Sequence, residues 1–249
     1  DKIDASEASS FNGKLNLSGL DIQDISGLDQ FPNITLLDLS ANDLKEVDLS
    51  AFTKLERLEI NNNELTELDL SKNPELYMVE CSFNQIQSID LSKLPKLLRF
   101  HAIFNELEEL NVSSNPLIAI IHVERNKLKE ITLGPAKDLQ ELDCRYNLLE
   151  NLEVNQSANL RVLRCDDNDL LTLDLRINVA LEELSCTATR VKKLLFARNS
   201  KLKILDCRSN LLSSVEISHL SNLEILLCGE NDLKQLSLPN QARLRELDY

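Results

Sequence analysis

The sequence predicts a β-rich solenoid of about eleven turns, with a parallel inner, concave sheet, short outer strands, little or no helix and modest curvature. Three observations carry this. Asparagine returns every twenty-one residues, at Asn42, Asn63, Asn84, Asn105, Asn126, Asn147, Asn168, Asn210 and Asn231, with only Thr189 breaking the series. Apolar residues stand eight, five and three positions before it and two, five and seven after it, as in Leu55, Leu58, Ile60, Asn63, Leu65, Leu68 and Leu70. Glycine (5) and proline (6) are too scarce in 249 residues for a linker or low-complexity chain. A period this strict belongs to a coil that closes on itself, each turn touching only its neighbours, so the length forms one elongated domain.

Residues 1–12 read as an N-terminal cap segment, with Ile3 and Phe11 turned inward over the first core positions. Residues 13–249 form the array. Its first turn, Leu15, Leu17, Leu20, Ile22, Ile25 and Leu28, is one residue longer than the rest. In later turns the segment before the asparagine alternates, as in Leu58-Glu59-Ile60, which is the signature of a half-buried strand. The half after it repeats the apolar template with polar residues between, predicting a shorter outer strand in each turn. With no helix outside, both walls advance by about 4.8 Å per turn, and eleven inner strands give a body roughly 50 Å long.

The asparagine amide offers two donors and an acceptor to backbone groups stranded where each coil turns a corner. An unpaired buried group costs about 1 to 3 kcal/mol, so the column acts as an internal brace. Thr189 brings a single hydroxyl, and its turn also places Leu195 on the outer wall. Residues 187–200 are therefore the expected weak point. At the far end Leu244, Leu247 and Tyr249 fill core positions with no polar cover after them, which predicts either a longer natural chain or end-to-end contact with another subunit.

All six cysteines, Cys81, Cys144, Cys165, Cys186, Cys207 and Cys228, stand three before the asparagine position, where other turns carry Leu39, Ile60, Ala102 and Val123. They read as small core hydrophobes. Stacked parallel strands hold them about 4.8 Å apart, wider than the 3.5 to 4.5 Å a disulfide needs between Cβ atoms, so free thiols are expected.

The pattern Leu55-x-x-Leu58-x-Ile60-x-x-Asn63 resembles the leucine-rich repeat, and its continuation Leu65-x-x-Leu68-Asp69-Leu70-Ser71 is similar to the 21-residue class found mostly in bacterial proteins. The longer first turn resembles internalin-type repeats. The resemblance covers residue 15 to the end. It implies a recognition module of a bacterial surface-displayed or secreted protein, of adhesion or host-interaction type, that binds a protein on its concave sheet. The sequence has no glycine-rich phosphate loop, no metal-helix motif and no nucleophile elbow, so neither a cofactor nor catalysis is expected.

Side chains the repeat does not dictate lie six, four, two and one positions before each asparagine, facing out from the inner sheet. In most turns they are short or acidic, as at Asp38, Ser40, Glu59, Asn61 and Asn62. Between the third and sixth turns they become Met78, Phe83, Arg99, His101, Ile103, Phe104, Ile120, His122, Arg125, Arg145 and Tyr146. Exposed aromatics, methionine and arginine on one face are the composition of an interface core, so these residues form the candidate site for a protein or peptide ligand. Phe83, Phe104, Arg125 and Tyr146 share one column and should form a ridge. A neighbouring column presents Glu80, His101, His122 and Asp143, with Glu124 beside it. Two imidazoles and a carboxylate could bind zinc, although an open face lacks the partners that orient metal ligands. A passive spacer in a longer surface protein is the remaining alternative.

A net charge of −14 excludes nucleic acid and anionic membrane surfaces as expected partners, since both need a basic face. Much of that charge falls in one outer-wall column, Asp48, Asp69, Asp90, Glu153, Asp174 and Glu216, where it favours solubility over calcium binding. No apolar run approaches the roughly 18 residues of a membrane span. The start at Asp1, without methionine or a signal-like stretch, reads as a processed or engineered end.

Overall fold

The computed structural model describes residues 5–196, 201–236, 238 and 243–249. A single parallel sheet runs the length of the array. Its first strands are Lys14–Asn16 and Leu36–Asp38, and the rest follow every twenty-one residues from Arg57–Glu59 to Glu246–Asp248, each bonded to the next in sequence along this wall. Twelve strands result, one more than the expected eleven, because Glu246–Asp248 pairs in register with Ile225–Leu227. In the regular turns the middle residue of each strand, such as Leu58, Val79, Phe100 or Ile121, is sealed in the core and its neighbours face the concave side.

The asparagine column is internal. Asn126 accepts the Leu107 N–H at 3.0 Å and donates through Nδ2 to the carbonyls of Ala102 (2.8 Å) and Val123 (3.0 Å), so one amide ties two turns. The same set recurs at Asn63, Asn84, Asn147 and Asn168. Thr189 is fully buried and its hydroxyl lies within bonding distance of the Cys186 carbonyl and the Asn210 Oδ1. It does not reach the preceding turn, and the Leu170 N–H, which an asparagine would accept, has no partner among the described residues. Residues 197–200 of the expected weak segment lie outside the described residues.

A second, intermittent brace lies beyond the sequence expectation. Asn73, Asn115 and Asn178 are buried on the opposite side of the core, and each donates to two carbonyls of the preceding turn, as Asn73 does to Leu49 and Phe52 at 3.0 Å.

The outer wall departs from expectation. Ladders form there only between Glu109–Asn111 and Glu130–Thr132 and between Thr172–Leu175 and Lys193–Phe196, among the described residues. In the acidic column, neighbours that are both charged, such as Asp48 and Asp69, form no ladder; each ladder includes an uncharged residue there, Thr132 or Leu195. Asp48, Asp69 and Asp90 instead brace their own turns, each side chain accepting the backbone N–H two residues on, at 2.8 to 2.9 Å. Hydrogen bonds from Ser50, Ser71 and Ser92 hold the three carboxyls below the ordinary carboxylate pKa.

At the front, Ala5–Ser10 is a short helix that buries Ala8, and the Asn33 side chain ties it to the array through the Ser9 carbonyl at 2.7 Å. Phe11 is not turned inward as expected. It packs edge-on against Phe31, centroids 6.1 Å apart, and stays 39% exposed, because Phe31 already covers that part of the first turn. Ile3 lies outside the described residues. All six cysteines are buried and free. Four, Cys81, Cys144, Cys165 and Cys228, point Sγ at the carbonyl of the next strand, 3.4 to 3.6 Å away.

Candidate functional site

The residue before each ladder position, from Ala41 to Glu230, has a left-handed backbone with φ between 51° and 57°. This corner turns the chain so that the next residue enters the core. Asparagine and aspartate tolerate it, as at Asn62 and Asp167, whereas a bulky side chain there costs about 1 kcal/mol or more. Four consecutive turns nevertheless carry Phe83, Phe104, Arg125 and Tyr146. None of the three rings recovers that cost by burial, being 42 to 48% exposed.

Their mutual geometry makes the expected ridge. Phe83 and Phe104 stack with centroids 5.2 Å apart and planes 19° from parallel. The Arg125 guanidinium follows, 5.0 Å from the Phe104 centroid and 4.3 Å from that of Tyr146. Neighbours in the stack are in contact with one another, and the ring edges, the guanidinium N–H bonds and the Tyr146 hydroxyl are what the ridge offers to solvent.

Beside the ridge the concave floor holds His101 and His122, rings stacked 4.6 Å apart with planes 9° from parallel. His101 Nδ1 lies 3.8 Å from Glu80 Oε1 and His122 Nε2 3.2 Å from Glu141 Oε1; the second contact is close but not aligned as a hydrogen bond. Burial, then the charge of His122, lowers the His101 pKa. Burial, then Asp143, raises that of Glu124. Asp143 does not face the concavity freely; it is 3% exposed and clamped by Arg145 Nε and Nη2 at 2.7 to 3.1 Å. With the two rings parallel their lone pairs do not converge, and among the described residues no three His, Cys, Asp or Glu side chains are grouped to hold a metal ion.

Of the remaining expected residues, Ile103, Ile120 and Arg145 are half-buried on the concave side and Arg99 is exposed. Met78 differs: it is 7% exposed, screened on its strand between Arg57 and Arg99, and supplies floor rather than contact surface. The sequence reading missed a rim. Tyr77 and Leu98, seven before the asparagine, are 37% and 39% exposed, and Leu117 is 44% exposed nearby in sequence. Tyr77 and Leu98 precede their strands by one residue, so alternation assigns them no face, but their apolar character in an otherwise polar or small column (Gln140, Arg161, Glu182) is a readable signal.

No protein-family model and no curated protein matches the chain. Solved structures do. The functional domain of InlJ from Listeria monocytogenes, described as including a cysteine ladder, is 21% identical with a TM-score of 0.57, over 98% of this chain and 64% of that one. The chain thus spans under two thirds of that domain. An internalin, InlF, from Listeria monocytogenes str. 4b F2365 is 20% identical with a TM-score of 0.71, over 100% of this chain and 90% of that one. The leucine-rich repeat domain of APL1B is 22% identical with a TM-score of 0.82, over 93% and 79%. Agreement along nearly the whole chain, together with the buried asparagine ladder and the continuous parallel sheet, makes the fold that of a leucine-rich repeat solenoid.

Proposed function

We propose that the chain is a protein-recognition module whose concave face binds a protein or peptide ligand, as part of a bacterial surface-displayed or secreted protein. The observation that carries the reading is the four-residue ridge. Bulky side chains sit on an unfavourable backbone there, gain at most a ring contact of similar size and stay exposed, and a large apolar side chain that adds nothing to the core is one suited to contact. Tyr77, Leu98 and Ile120 extend the apolar surface across the floor, enough for the centre of an interface. With a net charge of −14, nucleic acid is a poor fit. The similarity to internalins supports the surface or secreted setting.

The test is a selection of phage-displayed random peptides on the immobilised chain, counter-screened on a Phe104→Asn/Tyr146→Asn double variant, whose new residues suit the left-handed corner. Binders that lose the double variant support the proposal. Binders that ignore it, or that map to the outer wall, refute it in favour of a passive spacer.

A further inference from the structure

The ridge contains a cation without a counter-ion. Among the described residues eight arginines pair with carboxylates of the chain itself. Arg243 bonds the Asn222 side chain at 3.0 Å instead, and Arg125 and Arg99 have neither kind of partner, although the chain carries 41 acidic residues against 27 basic ones. In so acidic a molecule an exposed guanidinium finds an internal carboxylate unless the fold keeps it away. Here the two flanking rings hold it. Even Glu124, its neighbour in sequence, makes no ion pair with it, and the Glu124 Oε2 is buried with no hydrogen-bond partner among the described residues.

The Arg125 Cζ lies over both rings, 5.0 Å from the Phe104 centroid and 4.3 Å from that of Tyr146, so the cation is flanked on two sides. What remains open is the in-plane fork of N–H donors, and that fork matches a carboxylate held by two parallel hydrogen bonds. Ring edges on either side carry partial positive charge, which favours the same anion. Resting apolar surface on the faces also weakens hydration of the cation, so the bond to an incoming anion is stronger than at an isolated surface arginine. Arg99 stands at the opposite rim beside Leu98, the second cation of this face with no internal partner among the described residues.

We infer that this surface selects a peptide segment bearing acidic side chains, with an Asp or Glu carboxylate bound edge-on by Arg125 between Phe104 and Tyr146. The inference rests on the reading of the concave face as a peptide-binding surface and names what that surface reads. The net negative charge does not forbid an acidic ligand, because charges beyond a Debye length of about 8 Å at physiological salt are largely screened. It disfavours acidic segments elsewhere on the molecule and so sharpens the choice of this spot.

The experiment uses peptides selected from a random display library on the wild-type chain, then synthesised and titrated against wild type, Arg125→Lys, Arg208→Lys and Phe104→Asn. Lysine keeps the charge of Arg125 but loses the fork and the stack. Arg208 is an exposed arginine already paired with Asp206 and serves as the control. Selected peptides should be enriched in Asp and Glu. Replacing one acidic residue by its amide, or Arg125 by Lys, should weaken binding tenfold or more, with Arg208→Lys within twofold of wild type. Peptides that bind Arg125→Lys as well as wild type yet fail on Phe104→Asn overturn the carboxylate assignment and leave the binding surface standing. Peptides indifferent to Phe104→Asn overturn both.

Discussion

His101 and His122 stack face to face on adjacent strands, centroids 4.6 Å apart, so charging one ring opposes charging the other. The His101 pKa lies below the ordinary 6.5 because burial and then His122 disfavour its imidazolium, with Arg99 adding to the shift and Glu80 and Glu141 opposing it. A base weakened by folding binds its proton better in the unfolded chain. The stability it contributes is therefore complete above about pH 6.5 and is lost as pH falls through the folded value. Glu124, with its raised pKa, acts in the opposite sense, so the test must isolate His101. Urea unfolding should show wild type losing stability between pH 7 and 5 more steeply than His101→Gln, by less than about 1.4 kcal/mol per pH unit, the limit for one proton. Equal slopes would refute it.

Thr189 sits where nine other turns have asparagine, and the gap is specific: the Leu170 N–H lacks its acceptor and the Cys165 carbonyl loses the second-turn donor its counterparts have. Thr189→Asn should supply both and raise stability by about 1 kcal/mol, read as a higher urea midpoint with an unchanged slope. Asn126→Ala should do the reverse and cost about 2 kcal/mol, since it strands the Leu107 N–H and the Ala102 carbonyl at once while the Val123 carbonyl keeps its bond from Asn147. A neutral Thr189→Asn would mean the turn has relaxed away from the common geometry, for which the extra left-handed residue Arg190, φ 63°, is the feature to examine.

Much of this was legible because the period repeats one chemical demand. A buried corner with unpaired backbone groups needs an amide at a fixed place, and so the ladder, the core columns and the inner sheet could be read from Asn63 and its frame alone. Features that recur irregularly were not legible. Asn73, Asn115 and Asn178 share their column with Phe52, Leu94 and Ala136, so the second brace looks like noise in a sequence. The left-handed corner is invisible because none of the ten residues there is glycine. Alternation placed Met78 and Asp143 on the concave side but could not show that both are buried, Asp143 under the Arg145 guanidinium.

Phe100 and Phe104 are four residues apart and should respond oppositely to truncation. Phe100 is fully buried, so Phe100→Ala should cost about 3 to 5 kcal/mol. Phe104→Asn removes ring contacts worth about 0.5 to 1.5 kcal/mol and relieves a left-handed strain of similar size. Its urea midpoint should therefore stay within about 1 kcal/mol of wild type. A loss comparable to that of Phe100→Ala would make the ridge a structural element and remove the case for contact.

Burial raises the pKa of all six thiols, Cys81 to about 12 and Cys228 to about 11. At pH 8 the thiolate fraction is then negligible and the sulfurs are sealed from reagents. An aromatic disulfide reagent should titrate less than one thiol in the native chain and all six in guanidinium. Under mild destabilisation Cys228 should react first, being the least shifted of those with a stated value. Rapid native reaction at Cys81 would show that the core opens locally beneath the ridge.

Gly134 and Gly19 both have a left-handed backbone, φ 60° and 66°, yet their surroundings differ. A Cβ on Gly19 meets nothing within 4 Å, whereas one on Gly134 would lie 2.6 Å from the Ser113 Cα, a backbone atom that cannot swing aside. Gly134 follows the outer strand Glu130–Thr132, and Ser113 follows its partner Glu109–Asn111, so the close approach sits at the end of one of the two outer ladders. Gly19→Ala should cost only the backbone term, about 1 kcal/mol. Gly134→Ala adds a steric clash and should cost at least about 2 kcal/mol, with faster amide exchange at Val112, whose N–H bonds the Thr132 carbonyl at 2.9 Å. Equal costs at the two positions would show that the outer wall yields freely, and that the inner sheet and its asparagine column hold the turns together without it.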